Sequence, residues 1–353
     1  MIDRARVVRA APYSVLLSPT AQYNQTPLTT KPQSAAAPHA DVSVVVPSYN
    51  HARFVEKCLR SIFKQTLQPR ALVVIDDAST DNSQEIIERT LADSPIKETV
   101  FVRNQNNRGL PATLNDGFAR TGGRYFAYLG SDDLWLPDFL AARVALLEAR
   151  PRAVLAYGHA YSIDERDQII DCTTDWARYL DGDVRRMLLS TLAPLSPTVV
   201  YRRAALARHV WNEQARLEDY ELYLRLSAEG EFAFDPRILS AWRQHDYNTS
   251  RNLALMLAER LAAQQNAAAQ LGLSAHELSH FQTLARFRSA QEFMRQGRKL
   301  TALKLFLTNL RGAASAQEAA RLVAGLVVPH ELLQRRKRRR QQLARERYGA
   351  LAL

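Results

Sequence analysis

Cysteine is almost absent from this chain: Cys58 and Cys172 are the only two among 353 residues. Two thiols so far apart make no disulfide framework, and Cys58 falls on a helical apolar stripe. Both are expected to be buried thiols in a reducing compartment. Long hydrophobic runs are missing too, since no apolar stretch approaches the ~20 residues that span a bilayer. A secretory signal is not evident either, because Asp3 interrupts the basic start and the apolar segment 14–17 is too short. These absences predict a cytoplasmic protein.

What is present suits a globular enzyme-sized chain. Hydrophobic residues make up 46% and charged residues 24%, and the length accommodates one large α/β domain plus a smaller appendage. The formal charge of +11 is unevenly spread. Residues 298–353 hold thirteen Lys/Arg against three Glu, whereas the first 297 residues hold 34 basic and 33 acidic side chains. The body is nearly neutral, and the basic signal belongs to the tail.

Residues 1–40, rich in Pro, Ala, Thr and Gln without apolar period, read as a flexible leader. Order is expected from Val42-Ser43-Val44-Val45-Val46-Pro47, a buried strand, followed by a helical stripe of Phe54, Val55, Cys58, Leu59, Ile62 and Phe63. A second strand (71–75) leads through an acidic turn to a helix over 83–91. A third strand (98–102) is followed by a polar loop and a helix from Pro111 to Arg120, stopped by Gly122-Gly123. A fourth strand covers 124–129. Strands alternating with helices predict a largely parallel sheet, whose ligands bind beyond the carboxyl ends of its strands. Three such ends carry polar or acidic groups: Pro47-Ser48-Tyr49-Asn50, Asp76-Asp77 and Asp132-Asp133. Further on, strands are expected at 154–161, 198–201, 232–234 and 238–242, with a helix over 218–228. From about residue 253 the spacing is helical throughout, with breaks near Gly272, Gly297, Gly312 and Pro329. The chain divides on this reading into a leader (1–40), an α/β domain (41–250), a helical appendage (251–330) and a basic tail (331–353).

The run Gly130-Ser131-Asp132-Asp133, at the end of an aromatic strand, admits two readings. Paired carboxylates there suit Mg²⁺ or Mn²⁺ shared with a substrate phosphate. They equally suit an acidic turn capping the helix that begins near Leu136-Pro137. Likewise Asp77 through Asp81 can form an Asx-type turn, and Glu218-Asp219 can complement a helix N-terminus by a few tenths of a kcal/mol each.

Taken in order, these pieces resemble the inverting glycosyltransferases of family 2, whose nucleotide-sugar-binding domain is called GT-A. The resemblance covers roughly residues 41–250: Val44–Asn50, Val74–Asp81, Asn107-Arg108-Gly109, Asn115-Asp116-Gly117, Tyr128–Asp133, Leu217-Glu218-Asp219-Tyr220 and Trp242-Arg243-Gln244-His245. It implies a GT-A fold with a C-terminal all-α appendage, a nucleotide-diphosphate sugar donor, and Mg²⁺ or Mn²⁺ as cofactor. Asp133 would stand at the metal-ligand position and His245 would reach the metal or diphosphate, while Asp132 would contact the ribose. Gly130 occupies a position where the family often has an additional aspartate. Pro47, Tyr49, Asn50, Asp76, Asp77, Asn107 and Gly109 would line the nucleotide pocket, with Asp76 and Asp77 on the base. A carboxylate accepting an imide proton favours UDP or dTDP. Arg243 would contact phosphate. Asp219 would be the base that deprotonates the acceptor, with Glu218 beside it.

The processive members' Gln-x-x-Arg-Trp motif is lacking, so one sugar per encounter is expected. The acceptor would be a glycan or lipid-linked hydroxyl in cell-surface polysaccharide synthesis. Transfer to polyprenyl phosphate and a non-catalytic nucleotide-sugar-binding scaffold are the other readings. The run Arg335–Arg340, with the apolar spacing of Leu303, Phe306, Leu307 and Leu310 before it, suits peripheral contact with an anionic membrane on its inner face. A solvated tail is the alternative, and no specific nucleic acid is expected.

Overall fold

The computed structural model describes residues 39–246 and 248–351. The leader lies outside them, save that the backbone of His39 and Ala40 opens the first strand. The strands are β1 (His39–Ser48), β2 (Gln68–Asp76), β3 (Glu98–Arg103), β4 (Tyr125–Tyr128), β5 (Leu134–Trp135), β6 (Ala153–Ile163), β7 (Ile169–Cys172), β8 (Val200–Arg202) and β9 (Glu231–Arg243). They join in the order β3-β2-β1-β4-β8-β6-β9-β5, with β7 on β6. β3, β2, β1 and β4 run parallel. β8 enters antiparallel between β4 and β6, β9 runs parallel to β6, and β5 pairs antiparallel with β9. The expected parallel sheet thus holds for the first four strands and turns mixed beyond them.

The crossover helices are α1 (Val55–Phe63), α2 (Ser83–Leu91) and α3 (Leu110–Ala119), followed by α4 (Phe139–Ala149), α5 (Arg185–Leu189), α6 (Arg203–Leu206) and α7 (Glu218–Glu229). The valine run of β1 is covered on both faces, as parallel sheets require. Val42, Val44 and Val46 pack with Val55, Leu59 and Leu72, while Val45 points the other way, toward Val73, Leu114 and Phe126. Helix α3 presses against β1 at Gly117, where an added Cβ would lie 2.5 Å from Val45 Cγ1. Two residues earlier, Asn115 brackets the Trp211 backbone: its Nδ2 donates to the carbonyl at 2.9 Å and its Oδ1 accepts the amide at 3.0 Å. The Asn115-Asp116-Gly117 motif therefore packs α3 and anchors the segment that leads into α7. Strand β9 is one strand of 13 residues where two short ones were expected, with shifts in its pairing to β6 on either side of Pro236.

Helices α8 (Leu253–Ala267), α9 (Ala275–Arg295), α10 (Lys299–Thr308), α11 (Ala316–Val327) and α12 (His330–Tyr348) follow, broken at the expected glycines and proline. Gly272 and Gly297 have φ of 65° and 80°, the left-handed region that favours glycine. Ala263 and Ala267 of α8 pack into the same cluster as Tyr220 and Leu224, so α8 shares the core of the sheet domain. The basic tail is not free. Residues 330–348 form α12, which lies on the acidic β6–β7 hairpin through Arg340 to Asp171, Arg345 to Asp164 (2.8 Å) and Arg347 to Asp175 (3.1 Å). Tyr348 adds a ring contact with Tyr161 at 5.5 Å. Among the described residues, no helix is long and apolar enough to cross a membrane.

Gly117→Ala is expected to destabilise the fold by about 1–3 kcal/mol through overpacking against Val45. Urea unfolding checks it, and an unchanged midpoint would show that α3 is not seated on β1 as described.

Candidate active site

The ends of β1 and β2 are cross-linked by short polar bonds. Asn50, at φ 54°, accepts the Thr80 amide at 2.8 Å and donates its own amide to Ser79 Oγ at 2.8 Å. The His51 amide donates to Ser83 Oγ (3.0 Å) and the Ala52 amide to Asp81 Oδ2 (3.1 Å). Asp77 gathers the loop after β3: Oδ1 accepts from Asn104 Nδ2 (2.7 Å) and the Arg108 amide (2.9 Å), and Oδ2 from the same amide (3.0 Å) and that of Gly109 (2.8 Å). Gly109, at φ 82°, turns the chain into α3.

The antiparallel pairing of β5 with β9, Leu134 against Ala241, brings the Asp132-Asp133 loop beside Arg243 and His245. The Arg243 amide donates to Asp133 Oδ1 at 2.8 Å. His245 Nε2 lies 2.9 Å from Asp132 Oδ2. Across from it, His51 Nδ1 lies 2.8 Å from Ser131 Oγ and 3.8 Å from Asp132 Oδ1. One donor atom each from His51, Asp132 and His245 falls within 4.8 Å of the others, a set that fits a divalent ion. Burial works to raise Asp132, but its bond to His245 and the nearby His51 outweigh it and hold the carboxyl below its usual range. Asp133 is pushed well up by burial and by the charge of Asp132. Burial lowers His51.

A cleft of about 850 Å³ lies over these strand ends. It is lined by nine expected residues (Pro47, Tyr49, Asn50, Asp77, Asn107, Gly109, Asp132, Asp133 and His245), and also by His51, Thr80, Tyr128, Ser131 and Trp242. Four expected residues are not in the lining. Asp76 is fully buried beneath the loop, where Oδ1 accepts the Ser79 amide (2.9 Å) and Gln84 Nε2 (2.8 Å), so it shapes the turn and has no route to a base. Arg243 is fully buried as well. Its Nε donates to the Asp132 carbonyl, one terminal nitrogen to the Asp164 carbonyl, and the other pairs with Asp167, each at 2.7 Å. The phosphate contact expected of it gives way to holding the acidic loop from below.

Glu218 and Asp219 open α7 and are half-buried. Arg216, two residues before, reaches within 3.8 Å of where a Gly109 Cβ would stand. Tyr128, a cleft residue, has its phenol raised by burial and then by the charges of Tyr201, Glu218 and Asp219. Burial pushes Glu218 up to about 8, with the neighbouring Asp219 adding to it, and pushes Asp219 up to about 6 against its bond from the Tyr220 amide. At neutral pH the pair therefore carries about one negative charge.

Two expectations change in detail. The carboxylate beside His245 belongs to Asp132, whereas Asp133 is turned to the Arg243 backbone. Asp77 lines the cleft, but it accepts three N–H donors, one shared between both oxygens, so most of its acceptor capacity goes to the loop after β3. His51 was not anticipated, although its place directly after Asn50 on a ligand-facing strand end was a visible signal.

Residues 43–210 match the description Glycosyl transferase family 2. An uncharacterized glycosyltransferase of Nostoc sp. is 31% identical over 172 residues, 47% of this chain and 52% of its own length. Chondroitin synthase of Escherichia coli is 27% identical over 242 residues, 67% of this chain and 34% of its own. The chain thus spans about half and about a third of these two relatives. A mannosyltransferase from Pyrobaculum calidifontis, solved in complex with GDP-Man and Mn²⁺, superimposes with a TM-score of 0.56 at 19% identity over 90% of each chain, a likeness of fold. The mixed sheet and strand-end cleft are those of a GT-A fold, and residues 43–210, just under half of the chain, match family 2 of the glycosyltransferases.

Proposed function

We propose that the chain catalyses inverting transfer of a sugar from a nucleotide-diphosphate donor to a hydroxyl of a glycan or lipid-linked acceptor, in cell-surface polysaccharide synthesis. The observation that carries this reading is the Asp132–His245 contact at 2.9 Å in a cleft whose other wall is Pro47, Tyr49 and Asn50. A nucleotide laid along the β1 and β2 ends would point its diphosphate at that pair. Mg²⁺ or Mn²⁺ held by Asp132 and His245 would offset the charge growing on the departing diphosphate. Ionised Asp219 accepts the proton of the acceptor hydroxyl as its oxygen bonds to the anomeric carbon, on the face opposite the breaking bond to diphosphate. The proton then rests on Asp219, and the product carries the inverted linkage. Base selectivity falls to the exposed Tyr49 and to Asn107, since Asp77 is occupied by the loop after β3. The preference for UDP or dTDP, which rested on a carboxylate accepting an imide proton, is weakened by these bonds, and GDP-Man in the mannosyltransferase structure sets the competing case.

The lipid-linked acceptor draws support from α10 and α11. Leu300, Leu307 and Val327 are 85%, 66% and 78% exposed. Lys304 and Arg311 lie exposed among them, and Arg335 to Arg339 are exposed on α12. Apolar side chains ringed by cations suit the inner, anionic face of a membrane.

Turnover of a panel of UDP-, dTDP- and GDP-sugars, with and without EDTA, tests donor and metal together: one donor is expected to dominate and EDTA to abolish transfer. Asp219→Asn should lower kcat by about 10²–10⁴-fold with the unfolding midpoint unmoved. Because the base works only when ionised and its pKa is raised to about 6, kcat/KM should fall about tenfold per pH unit below that value and level off above it. A variant as fast as wild type would remove Asp219 from the chemistry. In sedimentation, the chain should pellet with phosphatidylglycerol vesicles and not with phosphatidylcholine ones, and Leu300→Asp with Leu307→Asp should reduce pelleting. Equal pelleting by all of them would refute the membrane face.

A further inference from the structure

Gly130 leaves no room for a third carboxylate in the acidic loop. A Cβ there would stand 2.9 Å from Asp132 Oδ1 and 3.3 Å from Asp133 Oδ2, so no side chain approaches the acidic pair from that position. His51 comes instead from the end of β1. Its amide is fixed by Ser83 Oγ, and its ring meets that of His245 edge-on with centroids 5.5 Å apart. Phe54 stacks on His245, also at 5.5 Å, and meets the His51 ring edge-on at 6.1 Å. The two imidazoles thus flank one carboxylate, from strand ends that are distant in sequence and pinned independently.

Resting on the reading of Asp132 and His245 as the metal-holding pair, we propose that His51 is a third protein donor to the ion and biases the site toward transition-metal ions over Mg²⁺. Oxygen donors alone suit Mg²⁺, whereas each imidazole added favours ions later in the first-row series. Bonds of about 2.0–2.2 Å from imidazole and carboxylate to a single ion need donor atoms a few ångströms apart. The 4.8 Å limit on this set meets that with small side-chain rotations. His51 therefore makes the ion a tightly selected component, where Asp132 and His245 alone would hold it loosely.

Mn²⁺ binding is measured by electron paramagnetic resonance and Co²⁺ binding by its visible absorption, on the full chain, with and without UDP or GDP. Mg²⁺ is added as competitor. His51→Ala is expected to weaken Mn²⁺ and Co²⁺ by at least about tenfold while Mg²⁺ competes more effectively than in wild type. His51→Asn, which keeps a polar partner for Ser131 but not the imidazole, should weaken Co²⁺ in the same way, with an unchanged unfolding midpoint. If both His51 variants bind as wild type while His245→Ala loses the ion, the site stands and His51 is not part of it. If His51→Asn restores wild-type binding, its role is to position Ser131 and the proposal fails. If wild type binds neither ion under any condition, the underlying reading of Asp132 and His245 falls first.

Discussion

The buried guanidinium of Arg243 is the constraint on which the site depends. A charge removed from water is costly unless it is paired. Here three nitrogens reach the Asp132 carbonyl, the Asp164 carbonyl and the Asp167 carboxylate, and the ring of Phe54 lies 4.8 Å from the cation. The same residue's amide fixes Asp133. One arginine at the end of β9 thereby holds the acidic loop by its backbone and by the Asp133 carboxylate. Both aspartates line the cleft, but with one oxygen of Asp133 bonded to the Arg243 amide, Asp132 is the one that meets His245.

That arrangement extends to the C-terminal helix. The 164–167 turn that receives Arg243 also receives Arg345 of α12 on the Asp164 carboxylate and Lys57 of α1 on Asp167. Ion pairs and hydrogen bonds thus run from α12 through the turn to the Asp132-Asp133 loop. The Glu218-Asp219 pair is governed differently. It is raised by burial among tyrosines, and two adjacent carboxyls share about one charge, which leaves one of them poised to take a proton near neutrality.

The sheet and the strand-end cleft were legible because strand runs of valine and aromatics, and the polar residues that end them, are local in sequence. The helix breaks at Gly272 and Gly297 were legible for the same reason: left-handed backbone asks for glycine. The choice between Asp132 and Asp133 was not, since it is made by a β5–β9 pairing more than 100 residues apart. Burial of Arg243 and Asp76 was hidden likewise, because a charged residue at a strand end reads as ligand-facing until its partners are known. The basic run looked like a free tail because its acidic partners, Asp164, Asp171 and Asp175, lie some 170 residues earlier on a hairpin whose second strand was not anticipated.

The most direct measurement is anomalous diffraction at the manganese edge from crystals grown with Mn²⁺ and a nucleoside diphosphate. A peak bonded to Asp132 and His245 beside the diphosphate is the predicted result. A peak bonded to Asp133, with Asp132 turned to the ribose, or a diphosphate seated away from the β1 and β2 ends, would contradict it.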